Sequence, residues 1–274
     1  MKQVFFTGAT GGLGEACVRA LSARGWRVFA GGTNEAKLQA LAALPGVVPI
    51  RVDVTDEASL RAAYDAVRAC TDRLDAVANF AGLTAFTPLV EGDAVAICQK
   101  VLDINVMGTV RTNAVFFGLV EAGRGRIVNC SSSAGWMTAQ PFAGPYVLSK
   151  RAIEAYSDSL RRELGFIGIP VVKIQPGSYR THITDEVSLA YDRVLAGETR
   201  FRAPLTRMKP LMAQTLRHSG DPAKLARVVV RALEAKHPRA RYRKGSGLLL
   251  SLLELLPEGC VDWLYRMIGG VSRG

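Results

Sequence analysis

An apolar run, Val4-Phe5-Phe6, passes directly into Thr7-Gly8-Ala9-Thr10-Gly11-Gly12-Leu13-Gly14. Glu15 to Ala23 then carries apolar residues at helical spacing, at Ala16, Ala20 and Leu21. Strand, glycine-rich turn and helix in immediate succession constrain the chain to a βα unit whose turn is nearly bare of side chains. Glycines in such a turn let the backbone approach a pyrophosphate, and amides at the helix N-terminus meet its charge. A tight turn whose glycines serve packing alone would satisfy the same residues, so the motif takes its meaning from the rest of the chain.

The same unit recurs downstream. Apolar runs at Trp26–Ala30, Val47–Val52 and Leu74–Ala78 alternate with helical stretches. That alternation predicts a doubly wound α/β fold of about seven parallel strands, Rossmann-like, with helices on both faces. The second run ends in Gly31-Gly32-Thr33-Asn34 and offers no acid for ribose hydroxyls, and Lys37 lies one turn beyond. The balance leans to NADP(H) over NAD(H). A helix predicted from about Asp93 to Val120 contains Asn105, a residue unfavourable there unless its side chain finds a partner.

Chemistry concentrates in residues 126–150, R-I-V-N-C-S-S-S-A-G-W-M-T-A-Q-P-F-A-G-P-Y-V-L-S-K. Tyr146 and Lys150 stand four apart, so on a helix they share a face. A phenol is a poor proton donor at neutral pH, and a neighbouring ammonium group favours its ionised form and brings proton transfer within reach. A serine hydroxyl from the adjoining strand end could hold the same substrate oxygen. Taken alone, the tyrosine–lysine pair is more readily an ordinary surface pair, and its neighbours in the chain give it meaning.

Together these residues resemble the short-chain dehydrogenase/reductase superfamily in its single-domain form, over roughly residues 2–181. The glycine motif T-G-x-x-x-G-x-G is matched by Thr7, Gly8, Gly12 and Gly14. Asn79-Phe80-Ala81-Gly82 resembles N-N-A-G with its second Asn replaced, Tyr146 and Lys150 match Y-x-x-x-K, and Pro176 to Thr181 matches P-G-x-x-x-T. The resemblance implies a catalytic set of Asn105, Ser132, Tyr146 and Lys150. Counting from Ile127 along the strand gives Ser132, and counting back from Tyr146 gives Ser133. A strand register is rigid and a loop tolerates insertion, so Ser132 is preferred and Ser133 is the alternative. The resemblance further implies cofactor contacts from Gly8, Thr10, Gly11, Gly12, Leu13, Gly14, Thr33, Asp53, Val54, Asn79, Ala81, Gly82, Tyr146, Lys150, Pro176, Gly177 and Thr181. Phe80 would pack on the adenine side.

Past Thr181 the motifs stop. Residues 182–219 are expected to form a helical flap over the substrate, with apolar Leu189, Leu195, Phe201, Leu205, Met208, Leu211 and Met212. With Trp136, Met137 and Phe142 they line a hydrophobic pocket or, with equal weight, only pack the flap onto the body. Substrate contacts are assigned to Ser132, Trp136, Phe142 and Tyr146. Asp221-Pro222 starts a helix, Arg239–Arg243 reads as the last strand, and 247–256 and 259–268 as two apolar helices in a tail over 245–274. That tail resembles the branch acting on steroids, retinoids and other lipidic alcohols.

The implied function is interconversion of a hydroxyl and a carbonyl on a bulky hydrophobic substrate. Its rivals are a reductase of small or acyl-linked ketones and a non-catalytic dinucleotide-binding regulator. Of the net charge of +11, +10 lies from Arg200 onward, where 15 Lys and Arg face 5 Asp and Glu. No aromatic-interleaved basic motif supports nucleic acid as a partner. Basic residues beside apolar helices fit an anionic membrane surface, a dimer contact or a cover over the substrate entrance. A homodimer or homotetramer through the long helices is implied by the resemblance. Five scattered cysteines without C-x-x-C spacing imply no metal site and a reduced, cytoplasmic setting, with peripheral membrane contact left open.

Overall fold

The computed structural model describes residues 1–180, 182–217, 219–245 and 253–270, giving only the backbone course for 182–188 and 215–217. Seven parallel strands form one sheet: β1 (Gln3–Thr7), β2 (Arg27–Gly32), β3 (Val47–Arg51), β4 (Ala76–Asn79), β5 (Arg126–Cys130), β6 (Val171–Pro176) and β7 (Arg241–Lys244). Their order is β3-β2-β1-β4-β5-β6-β7. The order reverses between β1 and β4, and a crevice opens at the carboxyl ends of the strands where it does so.

Successive residues of a strand point to opposite faces, and β1 sorts its side chains accordingly. Val4 and Phe6 enter one cluster with Val18 and Leu21 of α1 (Gly12–Ser22) and residues of a C-terminal helix, Pro222–Glu234. Phe5 enters the opposite cluster with Phe116, and their rings stack 3.9 Å apart. Either Phe fully buried here is worth about 3–5 kcal/mol against Ala. Helices α2 (Glu35–Ala42) and α3 (Glu57–Arg68) are N-capped by Asn34 and Asp56, whose side chains accept from Lys37 N and Ala58 N.

The expected helix 93–120 is interrupted. α4 (Ala94–Leu102) and α5 (Gly108–Ala122) are joined by a π-helical turn over Asp103–Met107. Such a turn inserts a residue and re-aims a side chain, frequently at a functional site. α6 (Gly144–Gly165) comes after the β5 loop. α7 (His182–Ala196) and α8 (Arg202–Arg217) occupy the expected flap segment, α9 is Pro222–Glu234, and α10 (Glu258–Gly269) packs on α8. Val261 is buried and Leu264, Tyr265 and Ile268 are half-buried on one face of α10, while Trp263 and Met267 lie exposed. The first expected tail helix, 247–256, lies mostly outside the described residues. Leu189 and Leu211 of the flap point outward rather than lining a pocket.

Candidate active site

The site is assembled where β1, β4, β5 and β6 end. Gly8 adopts φ +69°, and a Cβ there would come within 2.5 Å of the Phe80–Ala81 backbone. A Cβ on Gly14 would lie 2.0 Å from Gly8 O, whereas one on Gly11 would meet that oxygen at an ordinary 3.4 Å. Gly8 and Gly14 therefore permit the backbone crossing itself. The α1 N-terminus has Gly11 as its N-cap and no side-chain cap, which leaves first-turn amides, including those of Gly12 and Leu13, for an anion. A bare turn against an uncapped helix fits the pyrophosphate of a dinucleotide.

At the end of β2, a Cβ on Gly32 would fall 2.8 Å from Thr10 Oγ1, and Lys37 Nζ donates to Thr10 O at 3.3 Å. An ammonium group thus stands against the glycine turn. Thr33 is exposed beside it. Glu35, the nearest acid after β2, pairs with Arg51 at 3.1 Å. Asp53 uses Oδ1 to accept from Thr55 N and Oγ1, and Val54 turns its side chain into the core against Gly108.

At the end of β4 the expected contact residues are also tied into the fold. Asn79 is buried, and its Nδ2 donates to Asn113 Oδ1 at 2.7 Å and Asn129 Oδ1 at 2.9 Å. Asn129 in turn donates to Ser157 Oγ and Asn113 to Tyr156 Oη, whose phenol is pushed up by burial. This network joins β4, β5, α5 and α6 through Asn79 Nδ2, and Asn79 Oδ1 is left without a hydrogen-bond partner among the described residues. The network's signal in the sequence was Asn129, a polar residue inside an otherwise apolar strand. Phe80 stacks on Phe6 at 4.7 Å and is half-buried. Thr7 Oγ1 accepts from Phe80 N and Ala81 N and locks β1 to β4.

The π turn places Asn105 beneath the chain after β4. Its Oδ1 accepts from Leu83 N at 2.8 Å, while Nδ2 donates to Leu83 O and to Ser149 Oγ, each at 2.9 Å. Ser149 Oγ donates to Tyr146 O. Lys150 is buried, donates from Nζ to Cys130 O at 2.9 Å, and holds Nζ 5.5 Å from the Tyr146 ring centroid. A Cβ on Gly82 would sit 3.1 Å from Asn105 Oδ1 and 3.8 Å from Lys150 Nζ. Asn105, Tyr146 and Lys150 are therefore contiguous, and glycine at 82 keeps the space between them open.

Ser132, two residues past the end of β5, is extended and caps the 3-10 turn Ser133–Gly135. Its Oγ accepts from Ala134 N at 3.2 Å and donates to Pro176 O at 3.5 Å. Ser133 is already inside that turn. Pro176 closes β6, and Gly177 N donates to Lys244 O. Trp136 and Phe142 lie half-buried in the intervening loop. Thr181 lies outside the described residues. Among the described residues no cluster of His, Cys, Asp or Glu could hold a metal ion, and no helix is long and apolar enough to cross a membrane.

The sequence pattern described as "short chain dehydrogenase" matches residues 2–192. Retinol dehydrogenase 16 of Homo sapiens is 33% identical over 95% of this chain and 86% of its own length. The 17-beta-hydroxysteroid dehydrogenase type 6 of Bos taurus is 31% identical over 96% of this chain and 87% of its own. In structure, a short-chain dehydrogenase/reductase from Burkholderia phymatum in complex with NAD shares the fold with TM-score 0.78, at 22% identity over 96% of this chain and 95% of that one. An alcohol dehydrogenase from Thermococcus sibiricus complexed with 5-hydroxy-NADP shares it with TM-score 0.72, at 21% identity over 90% and 97%.

Proposed function

The chain belongs to the short-chain dehydrogenase/reductase family, and from that membership we propose that it interconverts the hydroxyl and carbonyl of a bulky, steroid- or retinoid-like substrate with NADP(H). The observation that carries this reading is the contiguity of Tyr146, Lys150 and Asn105 at the mouth of the crevice. Substrate class is supported by the steroid and retinol dehydrogenases among its relatives and by the apolar residues of flap and loop.

The dinucleotide would lie along the Gly8–Gly14 turn, with Ala81, Gly82, Pro176 and Gly177 at its nicotinamide half. When bound it supplies or accepts the hydride. In reduction Tyr146 Oη gives its proton to the carbonyl oxygen as hydride reaches the carbon, and in oxidation it takes that proton back. Ser132 donates to the same oxygen once its long bond to Pro176 O is exchanged for the substrate. Lys150, anchored on Cys130 O, stabilises charge developing on the phenol oxygen. Asn105 fixes the chain after β4 beside Lys150 and leaves an open path for proton exchange. Lys37 against the turn, with Glu35 neutralised by Arg51, favours a 2′-phosphate.

Exposed Leu255, Leu256, Trp263 and Met267 beside Arg266 support peripheral contact of the tail with an anionic membrane. Exposed Met107 in the π turn and exposed Leu148 on α6 support a homo-oligomer. The test is titration with NADPH and NADH, then turnover on steroid, retinoid and acyl-thioester ketones. Tighter NADPH binding with turnover on the lipidic ketones is expected. Turnover confined to acyl thioesters, or binding without any turnover, would overturn the assignment.

A further inference from the structure

Beneath the flap lies a third apolar cluster, separate from the two on the sheet faces. Tyr191 of α7, Leu205 of α8 and Phe86 from the segment after β4 are its buried residues, and Phe142 and Phe201 pack on them. Phe86 stacks on Tyr191 at 4.0 Å, and Phe142 lies 6.0 Å from Phe86 and 5.5 Å from Phe201. The catalytic loop and the flap therefore meet on this cluster. Phe142, four residues before Tyr146, holds φ 64°, a strained conformation for a bulky residue that persists where its surroundings determine it.

Tyr191 is 1% exposed, and its hydroxyl meets no hydrogen-bond partner among the described residues. A buried hydroxyl left unpaired is costly, and Phe would fill nearly the same volume without that cost. Burial, with Tyr265 of α10 nearby, pushes the phenol up, so it is held as a neutral donor. An unpaired donor enclosed where α7, α8, the segment after β4 and the catalytic loop pack together calls for an acceptor that arrives with the substrate.

We propose that Tyr191 is a specificity-determining residue that donates a hydrogen bond to a second oxygen of the substrate, remote from the reacting carbonyl. The preferred substrate is then an extended lipidic alcohol or ketone with polar groups at both ends. This rests on the reading of a hydrophobic pocket under the flap and narrows it. A site built around such a donor rejects the analogue that lacks the acceptor, because the donor is left buried and unpaired.

The test compares the full chain and Tyr191→Phe, each saturated with cofactor, on a steroid diketone and on the matching steroid monoketone without the distal carbonyl. Wild type is expected to favour the diketone by roughly tenfold in kcat/KM, and Tyr191→Phe to lose that factor on the diketone and stay within about twofold on the monoketone. The diketone should also raise the wild-type thermal midpoint more than the monoketone does, with the difference gone in the variant, whose own midpoint is unchanged or higher. Equal losses on both ketones, no loss on the diketone, or a lowered midpoint of the ligand-free variant would overturn the proposal. Ligand-induced shifts as expected but no turnover of either ketone would uphold Tyr191 and overturn the proposed reaction instead.

Discussion

The guanidinium carbon of Arg243 stands 3.8 Å from the centroid of the Trp136 ring. The last strand of the sheet thereby bears on the loop between Ser132 and Tyr146. Arg243 Nε also donates to Gln175 Oε1 at 3.0 Å, and Gln175 Nε2 donates to Glu154 Oε1 at 2.8 Å, one turn beyond Lys150 in α6. Arg243 is exposed, and a cation–π contact at such a site is worth about 0.5–1 kcal/mol. Arg243→Met is expected to raise KM for a hydrophobic ketone by up to roughly fivefold at nearly constant kcat, with Trp136 fluorescence more readily quenched by iodide. Arg243→Lys should recover little, since lysine lacks the planar stack. Unchanged KM and quenching would show that the contact does not position the loop.

The glycine turn separates two kinds of glycine. Gly14→Ala would drive a methyl group into Gly8 O and is expected to abolish cofactor binding, while Gly11→Ala has room for its Cβ and should fold stably. Isothermal titration with NADPH on the two variants checks this, and equal tolerance at both positions would contradict the crossing described.

Asn105→Leu removes three hydrogen bonds and leaves both Leu83 backbone groups unpaired. Such buried losses cost about 2–4 kcal/mol in total. Denaturant unfolding should show that loss, with a fall in kcat larger than any change in cofactor affinity.

Lys173, buried on β6, pairs with Glu154 and Asp158, each at 2.8 Å. Burial alone would raise the Asp158 carboxyl, but the hydrogen bond and charge of Lys173, with Arg161 and Arg162, outweigh it and hold it below the ordinary carboxylate range. A carboxyl lowered in the folded state adds stability above its unfolded value, and that stability is lost as pH falls through the folded value. Lys173→Met is expected to cost about 1–3 kcal/mol at neutral pH, discounted for the exposure of Asp158, and to flatten this part of the acid limb. Unfolding measured between neutral pH and the acid transition decides it.

Much of this arrangement was legible in the residues. The glycine turn and the alternation of runs anticipated the parallel sheet, and the four-residue spacing put Tyr146 and Lys150 on one helix, because each is a local pattern with a local physical cause. What escaped depends on contacts between distant segments. Periodicity placed Asn105 in a continuous helix, since a π turn of five residues is too short to show as a break in the apolar pattern. The convergence of Asn113 and Asn129 on Asn79 was not legible, because nothing local reveals it. Tyr191 was one polar residue in an amphipathic flap, and only packing shows that its hydroxyl is enclosed.

The central claim is that Tyr146 moves the proton while neighbouring groups hold the cofactor. The most direct measurement is turnover of a hydrophobic ketone by Tyr146→Phe, alongside NADPH titration of the same protein. The expected result is loss of kcat by at least about a thousandfold with cofactor affinity within a few-fold of wild type. Turnover near the wild-type rate would contradict the mechanism.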